Sequence, residues 1–174
     1  MPLIIYVILT VFVVICCVVD VRTRRIPNAI SGPAVLVGIL LNTISFGLAG
    51  LGWSLAGVAV IVAILLAPFA LGGLGGGDVK MMAAVGAFLG PRLALYGLLV
   101  GMMLGGIVMV AHLARIGRLG EKTKKLHEMV FAAAVLRSVD PLRVAADDPV
   151  AISLPYSIPL GLGATLVIAA TLWT

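Results

Sequence analysis

The chain has 174 residues, 62% of them hydrophobic and 11% charged, with a net charge of +5 and a mean hydropathy of +1.24. A water-soluble domain of this length would need a far more polar surface, so a soluble fold is excluded and residues 1–174 read as a single membrane-embedded domain. The two cysteines, Cys16 and Cys17, are adjacent within an apolar run, which excludes a metal ligand set and a disulfide framework and leaves them as inert packing residues.

About 20 apolar residues cross ~30 Å of hydrocarbon. On that measure the sequence predicts spans at 3–19, 31–49, 53–71, 79–90, 93–113 and 155–174. The first has no Lys or Arg ahead of it and no small-residue cleavage site, so it reads as a retained span rather than a signal peptide. The fourth is short: its length of helix rises only ~18 Å. It is kept as a separate pass because of charge. With the N-terminus outside, eleven of the twelve basic residues (Arg22, Arg24, Arg25, Lys80, Arg115, Arg118, Lys122, Lys124, Lys125, Arg137 and Arg143) face inward, and Arg92 alone faces out. Merging spans four and five would reverse the loop at 114–154 and break that rule. In that loop Leu126, Met129 or Val130, Ala133 and Leu136 recur at helical spacing opposite Lys122, Lys124 and Lys125, which predicts an amphipathic helix on the inner leaflet, held by lipid. The acidic tail of the loop, Asp140, Asp147 and Asp148, reads as a solvated connection, with electrostatic steering of a basic peptide as the alternative. The predicted fold class is all-α: a polytopic membrane protein of six transmembrane helices, with a short fourth span and a cytoplasmic amphipathic helix.

Two acids stand apart from the rest. Asp20 ends the first span and Asp78 begins the fourth, on the same side of the membrane, whereas Glu121, Glu128, Asp140, Asp147 and Asp148 all lie in the long loop. A carboxylate at membrane depth costs ~2.5–3.5 kcal/mol, so it marks function by default and sits where protein or a water-filled cavity surrounds it. The bland readings are a helix N-cap for Asp78 and pairing of Asp20 with Arg22, Arg24 or Arg25. Taken together the two acids favour a dyad. Close carboxylates in low dielectric cannot both ionise cheaply, so one keeps a proton while the other activates water. The helix macrodipole favours the anion at Asp78 and the protonated form at Asp20. No Ser/His/Asp constellation competes. His112 and His127 stand singly, where packing or solvated roles are expected, so neither metal nor cofactor is predicted.

The run GGLGGGD at 72–78 is not followed by Gly-Lys-Ser/Thr and so does not read as a phosphate loop; it suits a mobile approach to the acids. Gly97, Gly101 and Gly105, and likewise Gly86 and Gly90, repeat at four-residue spacing and predict helix-packing faces. Met81, Met82, Met102, Met103 and Met109 read as apolar filling rather than copper ligands.

Asp20-Val21-Arg22, Ile26-Pro27-Asn28, Gly75-Gly76-Gly77-Asp78-Val79-Lys80 and Pro155-Tyr156-Ser157-Ile158-Pro159-Leu160-Gly161 together resemble the type IV prepilin peptidases, the GxGD class of intramembrane aspartic proteases. The resemblance implies a protease of the bacterial inner membrane. It would act without cofactor or nucleic acid, cutting a basic cytoplasmic leader from prepilins just ahead of their hydrophobic helix. It also implies Asp20 and Asp78 as catalytic residues, with Arg22, Pro27, Asn28, Gly75, Gly77, Lys80, Pro155 and Tyr156 binding substrate or shaping the site. Larger members carry a domain with paired CxxC motifs and methylate the new N-terminus; this chain has no CxxC, so methylation is not expected. The small size resembles the tight-adherence (Flp-type) pilus branch and also the archaeal preflagellin peptidases. The rival functions are an ion-coupled transporter, which would show repeated halves with broken spans, and a non-catalytic pilus-assembly scaffold.

Overall fold

In α1, Leu3–Thr23, the residues turned inward are Ile5, Tyr6, Leu9, Phe12, Val13, Cys16 and Asp20, the three-to-four spacing of one helix face. The computed structural model describes residues 2–71, 73–115 and 156–173. Within them α1 is followed by α2, Asn28–Ala70, α3, Gly76–Arg115, and α4, Ser157–Trp173, with no strand among the described residues. The chain is all-α. α1, α2 and α3 are long and apolar enough to cross a membrane, and α4, of 17 residues, is apolar but shorter.

Among the described residues four helices therefore stand where the sequence predicts six spans. The difference lies at two glycines. α2 runs helically through the predicted gap at 50–52 and α3 through that at 91–92, and each leaves helical geometry at one residue: Gly47 (φ 64°, ψ −146°) and Gly90 (φ 74°, ψ −179°). Both take a positive φ that the Cβ of other residues resists. Neither helix is a straight rod. Gly38 packs on Ala87 and Phe88 while Gly57 packs on Gly86, yet in a straight helix Gly38 and Gly57 would stand ~28 Å apart. α2 thus doubles back at Gly47. The glycine at the predicted gap serves packing instead: a Cβ on Gly50 would overlap the Asn42 carbonyl on the other half of α2.

The first half of α3, 76–89, is the centre of the fold. Residues 81–90 are buried without exception, so this length of ~15 Å is wrapped by protein rather than lipid. Its far end is capped from outside. Pro91 lacks the N–H that the Ala87 carbonyl would otherwise accept, and the break at Gly90 strands the neighbouring carbonyls as well. The buried Asn42 amide donates to the Ala87 and Phe88 carbonyls, both at 3.0 Å, and the Trp53 indole N–H donates to that of Leu89 at 3.4 Å. Asn42→Leu leaves two carbonyls without these donors in an apolar interior. A loss of about 1–3 kcal/mol is expected, measured as unfolding in detergent.

The second half of α3 packs on α4 along the predicted glycine face: Gly97 on Ala164, Gly101 on Leu160, Gly105 on Tyr156 and Pro159. Of the other predicted pair, Gly86 packs on Gly57 as expected. Gly90 is instead the break itself, with the Trp53 indole across the place a side chain would occupy. The predicted amphipathic helix and the five loop acids lie outside the described residues.

Candidate active site

Asp20 points inward because it follows Cys16 by four residues on the buried stripe of α1. The helix runs to Thr23, one turn past the expected end of the first span, which places Asp20 on a helix rather than in a loop. It stops at Arg24, which takes the left-handed conformation (φ 51°) and donates its N–H to the Asp20 carbonyl at 2.7 Å. The connector to α2 is short and pinned. Pro27 opens α2, its carbonyl accepting the N–H of Ile30 (3.1 Å) and Ser31 (3.3 Å). Between these ends Ile26 is buried, and a Cβ built on Gly77 would stand 3.2–3.3 Å from it. Gly77 therefore lets the connector lie against the start of α3. That contact carries the end of α1 to Asp78.

Asp78 is the third residue of α3. The Gly75 carbonyl accepts the N–H groups of Asp78 (3.1 Å) and Val79 (3.3 Å), and the Asp78 carboxylate takes the Gly75 N–H in return. The acid thus caps from the N3 position, as the acid of a capping box does, rather than from the N-cap that sequence suggests. Helix capping thus accounts for one hydrogen bond of Asp78 and explains neither its burial nor its neighbour. Asp20 and Asp78 are 9% and 7% exposed, and they lie within electrostatic reach of each other and of Cys17. Asp20 also accepts a hydrogen bond of 2.6 Å from the Ser157 hydroxyl, which is fully buried at the start of α4. Two buried carboxylates from separate helices thus lie within electrostatic reach of each other, as an acid–base pair requires.

The other predicted site residues divide. Gly75 and Gly77 touch the pair or its connector, as described. Arg22, Pro27, Asn28 and Lys80 are exposed around it, and among the described residues no ion pair joins Arg22 or Lys80 to either acid. Tyr156 is half-buried against Gly105, and Pro155 lies outside the described residues. Ser157, Ile26 and Cys17 carry contacts that the sequence reading does not assign. A lone hydroxyl opening an apolar helix was the available signal for Ser157.

Gly75 sets the clearance of the acid. A Cβ there would come within 3.2 Å of the Asp78 Oδ2, tighter than ordinary contact, so Gly75→Ala turns the carboxylate without touching the core. Because a misplacement of ~1 Å costs up to ~100-fold, about a tenfold loss of catalytic rate is expected, with the melting temperature nearly unchanged.

The sequence model of the type IV leader peptidase family matches residues 7–110, more than half of the chain, and takes in both acids. No curated protein and no solved structure matches the chain.

Proposed function

The chain belongs to the type IV leader peptidase family, and from that premise we propose that it is an intramembrane aspartic endopeptidase that removes the cytoplasmic leader from prepilin-like substrates. The observation that carries this reading is the meeting of Asp20 and Asp78, two buried acids from separate helices, within electrostatic reach of each other. In the proposed reaction one carboxylate takes a proton from water. The water oxygen bonds to the carbon of the scissile amide, whose oxygen is polarised by the proton held on the other acid. That proton passes to the amide nitrogen as the carbon–nitrogen bond breaks, leaving a new carboxylate and a new amine. Burial of the pair keeps bulk water from competing and strengthens each of these interactions.

The same reading gives the chain six passes, with α2 and α3 each contributing two on either side of Gly47 and Gly90. The N-terminus lies outside, and the acids face the cytoplasm of a bacterial inner membrane. Eleven of the twelve basic residues then fall on the inner side. The substrate is a pilin of the type IV or Flp class, whose basic leader meets the site from the cytoplasm while its apolar helix stays in the lipid.

The reading is tested with purified protein in lipid and a peptide carrying a basic leader, a glycine and an apolar helix, the products being identified by mass. A single cut just ahead of the apolar helix, dependent on both acids, supports it. An intact peptide, or cutting that persists at the parental rate without either acid, overturns it.

A further inference from the structure

We infer that Ser157 is a positioning residue for this reaction, its hydroxyl holding the Asp20 carboxylate in fixed rotation beside Asp78. The inference rests on the aspartic-peptidase reading and deepens it. The Ser157 Oγ donates to Asp20 Oδ2 at 2.6 Å, between side chains that are 0% and 9% exposed and 137 positions apart in the chain. The bond is short and deeply buried, where a hydrogen bond is costly to leave unmade. Ser157 is itself held. Cys17, on the same face of α1, donates its Sγ to the Ser157 carbonyl at 3.3 Å, and a Cβ on Gly161, one turn along α4, would press on Val13 and Cys17. Val13, Cys17 and Asp20 of α1 thus face Ser157 and Gly161 of α4 along one seam, and the hydroxyl cannot swing away without opening it.

Among the described residues the groups facing Asp20 are few. Cys16 and Cys17 share its helix, Arg24 follows it in the connector, and Asp78 approaches from α3. Neither α2 nor α4 carries a titratable side chain. Ser157 is the residue of α4 whose side chain bonds Asp20. An aspartate without such a tether rotates about its terminal torsion, which is broad, and the reactive oxygen then leaves the near-attack arrangement.

Ser157→Ala and Ser157→Thr test the inference against a packing role, because the two roles predict opposite orders. Thr keeps the hydroxyl and adds a methyl group to a fully buried position; Ala removes the oxygen and fits with room to spare. A tether predicts that Ala lowers kcat about tenfold with KM within about twofold, whereas Thr stays within about threefold of the parent. Parental kcat in Ala, or Thr slower than Ala, overturns it. A second measurement needs no cleavage: an apolar carbodiimide should label Asp20 severalfold faster in Ala, where the carboxyl turns free of the hydroxyl, and at the parental rate in Thr. Equal labelling in the parent and in Ala overturns the inference whatever the chemistry at the site. Cleavage that survives in Asp20→Asn or Asp78→Asn overturns the peptidase reading and leaves the labelling result to decide on Ser157.

Discussion

Asp78→Asn is expected to lower cleavage by about 1,000-fold or more, and Asp20→Asn by as much, while each protein stays folded. Asparagine has nearly the shape of aspartate, but it can neither accept the proton of an attacking water nor hold one for the leaving amine. Its side-chain oxygen still accepts the hydrogen bonds of the parent: from the Gly75 N–H at position 78 and the Ser157 hydroxyl at position 20. Stability is expected to hold or rise. The neutral amide relieves the buried pair of the cost of holding a charge away from water. Activity lost with the melting temperature kept or raised is the pattern of a pair retained for chemistry. The measurement is cleavage of the leader peptide beside thermal unfolding in the same lipid. Either variant retaining more than about a tenth of the parental rate contradicts the assignment.

Gly57→Leu and Gly86→Leu are expected to be the most damaging substitutions outside the acids, each destabilising by about 3–5 kcal/mol or preventing assembly. These two glycines bring backbone onto backbone. A Cβ on Gly57 would overlap the Gly86 carbonyl oxygen, and one on Gly86 would stand 2.6 Å from the Gly57 carbonyl oxygen and 2.8 Å from its carbon. No flexible side-chain end is available to yield, so the second half of α2 has to move off α3. Association in lipid depends on such close packing, because the hydrophobic effect does not drive helices together there. The separation would also draw Trp53 from the Leu89 carbonyl and Gly90, loosening the cap of the helix that bears Asp78. Gly106, with open space around the place of its Cβ, is the control: Gly106→Ala should leave unfolding unchanged. Unfolding of the Leu variants close to the parental temperature would contradict this account of the interface.

The acids were legible in the sequence because cost singles them out: two carboxylates at the ends of apolar runs need a reason that lipid does not supply. The glycine face of α3 was legible for the same kind of reason, since Gly97, Gly101 and Gly105 repeat at the helical period and meet Ala164, Leu160 and Tyr156. The positions of the turns were not. Glycine marks both a break and a close contact, and only the packed partner tells them apart: Gly50 read as a turn and packs on Asn42, while Gly90 read as packing and is a break. Ser157 was hidden differently. Its importance comes from a contact across 137 positions, which no local period announces. Asn42 is similar, a lone amide in an apolar run whose work is visible only once the stranded carbonyls of α3 stand beside it.

That Asp20 and Asp78 meet can be measured without any substrate. Cysteines replacing both acids, in a background of Cys16→Ala and Cys17→Ala, should be joined within one chain by a short bifunctional thiol reagent in native membranes, in high yield and without dilution dependence. No link between them with reagents reaching ~10 Å, while each cysteine alone still reacts, would contradict a shared site.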